Sequence, residues 1–281
     1  MTHTQKRIIT NNIVMTLSTL SAIVGIGFLL WILSILVING IDALSTTIFL
    51  NEGAPPGNES GGLKHALIGQ LLLVSYASLF GVPLGILAGT YLSEYGQKSK
   101  LAETIRDISD IMMSAPSIVI GAFVYAIVVA PTGQFSGWAG SIALMIIMLP
   151  IILRTTDDML HLVPSTLREA AFALGAPKYK VIIQVVYRGA KAGILTGVLL
   201  GVARVAGETA PLLFTSFNDN FLNTDMSQPM ASLTVTMYNY ATSPYEDWQK
   251  LGWAAAFILS MFILTLNILG RLFLLKKRGK N

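Results

Sequence analysis

The sequence predicts an all-α membrane protein of six transmembrane helices with both termini on the cytoplasmic side. Three observations predict it: scarce charge, six long apolar segments, and a one-sided distribution of lysine and arginine. Of 281 residues, 53% are hydrophobic and only 12% charged, with a mean hydropathy of +0.64. An ordinary soluble domain carries about 25% charged residues, so most of this chain sits where water is absent. The length suits one membrane domain with short loops and leaves no room for a second soluble domain.

A transmembrane helix needs about 20 mostly apolar residues. Six segments meet or approach that: 13–38, 65–92, 108–130, 138–153, 189–214 and 251–275. The first follows Lys6 and Arg7 as a signal peptide would. Its apolar stretch is too long for a signal h-region, and no small-residue cleavage site follows, so it reads as an uncleaved anchor. The fourth has the shortest apolar run and contains Pro150; neighbouring helices can cover the backbone groups that a proline leaves unpaired.

Orientation follows from the basic residues. With the N-terminus inside, only Lys64 and Lys250 of the 19 lysines and arginines fall outside, and Arg204 lies within a span. The remainder, including Lys98 and Lys280, lie on the inner side. The outer loops carry Asp42, Glu52, Glu59, Asp219, Asp225, Glu246 and Asp247. The division expected is a cytoplasmic tail at 1–12, a membrane domain at 13–275 and a basic cytoplasmic tail at 276–281. The net charge of +4 thus reflects topology and not affinity for nucleic acid. The long outer segments 39–64 and 215–250 carry turn formers such as Ala54-Pro55-Pro56-Gly57-Asn58. No internal repeat is found.

Several chemistries are excluded. The chain has no cysteine, and His3, His65 and His161 lack metal-ligand spacing. No G-x-x-x-x-G-K-[ST] loop occurs and no nucleophile-and-base constellation, so neither a cofactor nor a metal is expected and the chain is not an enzyme on its own.

The largest inner loop, 154–188, has the composition of helix. Within 164–177, Ser165 or Thr166 is placed to cap a helix, with Glu169 completing a capping-box pattern. Gly175 followed by Pro177 ends it. Two readings stay open on these residues alone. A short helix of small side chains can lie in a partner's groove, or it can be an amphipathic surface helix with only structural purpose.

The fifth span carries Gly189, Gly193, Gly197 and Gly201 at four-residue spacing, then Arg204, Gly207, Glu208 and Pro211. On a continuous helix these small residues and both charges share one narrow face. Small-x-x-x-small faces let helices approach closely in lipid, so this face is expected to be buried against protein. Ionisable residues within a span are costly and mark pathways. Arg204 offers a planar fork of donors suited to an oxyanion, and Glu208 can neutralise it when the path is empty. The plainer reading is an i, i+4 ion pair near the outer interface, since Arg204 lies about 21 Å along a helix counted from Ala190.

Two motifs carry a resemblance. Glu169-Ala170-Ala171 with Gly175 is similar to the Glu-Ala-Ala-x3-Gly pattern of ABC importer permeases, although Val185, Tyr187 and Arg188 stand where Ile, Leu and Pro are usual. Arg204-Val205-Ala206-Gly207-Glu208-Thr209-Ala210-Pro211-Leu212-Leu213-Phe214 resembles the fifth-span motif of PstA-type phosphate permeases. Further matches are Gly81-Val82-Pro83-Leu84-Gly85-Ile86, Tyr91-Leu92-Ser93-Glu94-Tyr95-Gly96 and Ala115-Pro116-Ser117-Ile118-Val119-Ile120-Gly121. The fourth span adds Leu149-Pro150 and Arg154-Thr155-Thr156, and the likeness covers roughly 62–214.

The resemblance implies the architecture of a type I ABC importer permease in a bacterial inner membrane. Glu169, Ala170, Ala171 and Gly175 would form a coupling helix that fits a cleft of an ATPase. Arg204 and Glu208 would line a phosphate path, and Gly193, Gly197 and Gly201 would pack helices. The implied partners are a PstC-like second permease, two ATP-binding subunits that hold ATP and magnesium, a periplasmic phosphate-binding protein and membrane lipid. Two rivals remain: a permease for another oxyanion or small solute, and a membrane scaffold or channel without an ATPase.

Overall fold

The computed structural model describes residues 3–58, 60–96 and 99–278, and among these it is helical with no strand. Glu59, Lys98, Lys280 and the end of the basic tail, 279–281, lie outside the described residues. Among the described residues, five helices are long and apolar enough to cross a membrane, and the number reaches six when one bent helix pair is counted as a single broken span.

Helix α1, His3–Asp42, takes in both the first expected span and the residues assigned to an N-terminal tail. Its surface is almost wholly exposed, and Gly40 meets the side chain of Phe257 near its end. Helix α2, Lys64–Glu94, is the second span and tolerates Pro83 inside it. The expected third span does not form as one helix. It is divided into α3, Lys100–Ser114, and α4, Ser117–Thr132, bent by 107°. Proline removes an N–H and disfavours helix in the residue before it. Ala115, which precedes Pro116, is accordingly extended at φ −70° and ψ 139°. Lys100, Glu103, Arg106, Asp107 and Asp110 give α3 five charges in 15 residues, too many for a hydrocarbon crossing.

Helix α5, Gly137–His161, runs past the fourth expected span at its carboxyl end and keeps Pro150 inside. Ser136 caps it, accepting the Ala139 N–H at 3.2 Å. A short helix α6, Ser165–Ala173, follows, then α7, Lys178–Ala206, with a π turn at Ile182–Val186. Where the related pattern has proline, Arg188 stands here, so the chain continues as helix. The fifth expected span is therefore displaced: it starts earlier and stops at Ala206, short of Phe214. The last helix, α8, spans Glu246–Arg278. Between them lie short helices Thr46–Leu50, Ala210–Leu213 and Leu233–Ala241.

Lipid tails are as apolar as leucine, so close packing rather than hydrophobic transfer joins these helices. Helix α5 is the hub. On one side a Cβ at Gly81 or Gly85 of α2 would come within 2.7 Å of Met148 or 2.9 Å of Ile152, and one at Gly89 would meet the Leu153 carbonyl. On the other side Gly193, Gly197 and Gly201 of α7 lie against Met159, Thr155 and Ile152. The surrounding core is Leu73, Leu144, Met148, Ile152, Val205 and Leu212.

Candidate translocation site and docking helix

The glycine seam and the charged pair part company at the end of α7. Gly207 closes the helix, its N–H bonding the Arg204 carbonyl at 3.1 Å, and Glu208 lies beyond it. The shared helical face expected for Arg204, Glu208 and Pro211 therefore does not exist. At the turn, Gln70 of α2 takes up the Ala206 carbonyl that a continuing helix would have used and ties it to the start of Leu233–Ala241. Gln70 Nε2 donates to the Ala206 carbonyl at 3.1 Å and its Oε1 accepts the Leu233 N–H at 3.1 Å. Thr234 Oγ1 donates to the Glu208 carbonyl at 2.8 Å. Pro211 then packs on Gly121 of α4, where a Cβ would lie 2.6 Å from Pro211 Cα.

The two charges still meet. Arg204 Nη2 is 3.2 Å from Glu208 Oε1, with side chains 53% and 11% exposed. Glu208 is thus held within protein while Arg204 reaches outward. Arg204 lines a cavity of about 370 Å³ together with Met112, Met113, Ser117, Ile151 and Leu200. The bend between α3 and α4 brings Met112 and Ser117 there. A larger cavity of about 540 Å³, lined by Met237, Tyr238, Gln249 and Trp253, has no charged side chain in its wall. An arginine with one carboxylate partner, in a wall that carries no other charged side chain, can exchange that carboxylate for an anion.

Helix α6 buries none of its residues fully. Glu169 and Ala170 are exposed, Ala171 is half-buried, and Gly175 is exposed at φ +78°. The expected capping box is absent. Pro164 is already extended and occupies the N-cap, so Ser165 becomes the first helical residue and no side chain caps the end. The carboxyl end forms as a Schellman turn: the Gly175 N–H bonds the Phe172 carbonyl at 2.9 Å and the Ala176 N–H bonds the Ala171 carbonyl at 3.2 Å. Around it Leu162, Leu167, Phe172 and Leu174 are exposed, Leu174 at 89%.

Four charges to which sequence reasoning gave no role gather at the inner end of the bundle, one pair of them tying α6 to α2. Arg168 donates to Glu94 Oε1 from Nη2 at 2.7 Å and from Nε at 3.2 Å, and to the carbonyls of Leu160 and Val163 at 2.8 and 2.5 Å. Arg106 of α3 donates to both carboxylate oxygens of Asp157 at 2.8 and 3.3 Å and to the Leu92 carbonyl at 3.0 Å. Glu94 and Asp157 are 7% and 3% exposed. The available signal was an acid at the inner end of an apolar run.

The family described as binding-protein-dependent transport system inner membrane component matches residues 81–278. The chain belongs to this family. Among relatives of the same family, the phosphate transport system permease protein PstA of Pasteurella multocida is 50% identical over 276 residues, covering 98% of each chain. That of Haemophilus influenzae is 51% identical over 268 residues, covering 95% of each. The resemblance to PstA-type permeases is thereby borne out. Among solved structures, a bacterial alginate ABC transporter chain aligns with a TM-score of 0.64 at 13% identity, covering 95% of this chain and 94% of that one. An inward-facing chain of the MetNI methionine ABC transporter gives 0.60 at 18% identity, covering 76% and 93%. The fold is that of a type I ABC importer permease. Like other inner membrane components of its family, the chain is a multi-pass membrane permease that works with a separate ATPase and a substrate-binding protein.

Proposed function

We propose that this chain forms half of the path for inorganic phosphate across the bacterial inner membrane, with both termini cytoplasmic. The observation that carries the reading is the Arg204–Glu208 pair at the wall of a cavity, in a chain about half identical to phosphate permeases along nearly its whole length. A half-exposed guanidinium facing acyl chains would cost several kcal/mol. The surface around Arg204 is thus the face that a PstC-like second permease covers. Two ATP-binding subunits, which hold ATP and magnesium, take α6 into a cleft through Leu167, Phe172, Leu174 and the Glu169–Ala171 surface. A periplasmic phosphate-binding protein delivers the solute. ATP binding closes the ATPases and opens the path outward through α6; hydrolysis resets it.

Phosphate at neutral pH still carries a proton, and sulfate does not. When the anion displaces Glu208 from Arg204, the freed carboxylate accepts that proton's hydrogen bond. Phosphate uptake into proteoliposomes holding the assembled complex tests this. Glu208→Gln is expected to lower uptake about tenfold, the scale of one hydrogen bond to a charged group, with subunit assembly unchanged. Normal uptake in that variant removes Glu208 from the path, and an intact complex that imports sulfate and not phosphate removes the substrate.

A further inference from the structure

The inner end of α2 is collared by cations from three elements. Arg106 of α3 binds the Leu92 carbonyl, Arg168 of α6 binds the Glu94 carboxylate, and Lys178 at the start of α7 donates to the Glu94 carbonyl at 2.6 Å. Lys178 also sits over the Tyr95 ring, 3.9 Å from its centroid. Positive charge at this point complements the negative end of the α2 dipole. The pathway described above uses none of these groups.

We propose that Arg168 and Glu94 are positioning residues for energy coupling, the strut through which displacement of the docking helix α6 reaches the α2–α5 pair. The inference rests on the proposed importer function. Helix α6 has little else to hold it. Its apolar attachment is the half-buried Ala171, packed near Leu160, Val163 and Val181. By contrast, Arg168 alone makes four hydrogen bonds. Two of them go to the α2 carboxylate, and two go to carbonyls at and just beyond the end of α5.

Helices α2 and α5 are themselves interlocked. Gly81, Gly85 and Gly89 close the gap between them, and Arg106 bridges Leu92 to Asp157 without involving α6. A push on α6 therefore moves a pre-joined unit. The covalent route to α7 runs instead through the Gly175–Pro177 turn, where helix is interrupted. Glu94 is 7% exposed, so an unpaired charge there is costly and the pair stays closed while the unit moves.

The experiment uses the full complex of permeases, ATPases and binding protein in proteoliposomes, with inorganic phosphate as the solute. In Glu94→Gln complexes, hydrolysis without binding protein is expected to stay near that of the unaltered complex. ATP consumed per phosphate imported is expected to rise about tenfold, the scale of one charge-assisted hydrogen bond. Arg168→Lys keeps the charge but loses the fork, and is expected to raise the same ratio. A ratio that stays constant, whether both rates fall together or neither falls, overturns the inference.

A second measurement does not depend on the solute. The chain has no cysteine, so in a complex assembled with cysteine-free partner subunits, spin labels at Tyr91→Cys and Thr166→Cys report the distance from α2 to α6 alone. It is expected to stay fixed on ATP binding and to broaden when Glu94→Gln is added. A nucleotide-dependent distance in the otherwise unaltered complex refutes the strut. Failure of the unaltered complex to import phosphate, with the distance fixed, instead refutes the phosphate reading.

Discussion

Removing Arg106 would leave Asp157 charged, nearly buried and without its bidentate partner. Breaking a fully buried pair in this way costs about 3–5 kcal/mol. Here Arg106 is 26% exposed and the His161 ring lies 3.2 Å from Asp157 Oδ1, so the cost falls below that range. Replacing both partners by apolar groups of similar volume is close to neutral. Arg106→Met should therefore lower the thermal inactivation midpoint in detergent markedly, and Arg106→Met with Asp157→Leu should recover most of it. A double variant as unstable as the single would show that the loss lies in the Leu92 carbonyl bond instead. Glycines are graded by the same reasoning about what a neighbour can do. A Cβ at Gly121 meets Pro211 Cα, which is backbone, whereas one at Gly193 meets Sδ and Cγ of Met159, side-chain atoms that a rotamer change can displace. Gly121→Ala is expected to cost about 1–3 kcal/mol by overpacking and to push Ala210–Leu213 off α4. Gly193→Ala should cost less, and equal midpoints for the two variants would contradict the grading.

At the scale of elements, the turn after α6 needs a left-handed residue to end the proposed docking helix. Gly175 sits at φ +78° with open space beside it, so a side chain there is strained by backbone alone. Gly175→Ala is expected to destabilise the turn by about 1–2 kcal/mol and to weaken co-purification with the ATPase. Gly175→Asn should do so less, because asparagine tolerates that region. Co-purification unaffected by Gly175→Ala would separate the turn from docking. The end of α6 was legible because Gly175 and Pro177 are local punctuation. Its start was not, since Ser165 and Glu169 satisfy a capping pattern that Pro164 pre-empts by being extended already. Hydropathy located the apolar segments. It could not locate the break between α3 and α4, because Ile108–Met113 is apolar enough to read as span while Pro116 ends it. The stop at Ala206 is in part local, since Gly207 closes the helix and Pro211 brings no N–H to the Gly207 carbonyl. It is in part tertiary, since Gln70, 136 positions away, takes the Ala206 carbonyl.

Across the whole molecule, the position of Arg204 decides between a pathway and an interfacial ion pair. Its pairing with Glu208 was legible from four-residue spacing, yet the spacing misassigned the geometry. The glycine seam faces α5, and Arg204 emerges at the seam's edge into a cavity walled by α3, α4 and α5. In the separate chain that cavity opens to the surface. In a membrane, the opening faces either acyl chains or a second permease across a water-filled path, and these differ in what reaches it. Leu200 lines the same cavity and is exposed, so Leu200→Cys places the chain's one thiol beside Arg204 without removing the charge. In the assembled complex, a charged, membrane-impermeant thiosulfonate is expected to modify that thiol. Phosphate is expected to slow the reaction, because an anion held by Arg204 occupies the approach. Arg204→Gln added to Leu200→Cys should abolish the protection and slow an anionic reagent relative to a cationic one. The lost attraction is large enough to read, since a single unit charge within about 4 Å at an effective dielectric near 20 is worth about 4 kcal/mol. Modification by lipid-soluble maleimides alone, indifferent to phosphate, would place this face of α7 against lipid and leave the ion pair with a structural role.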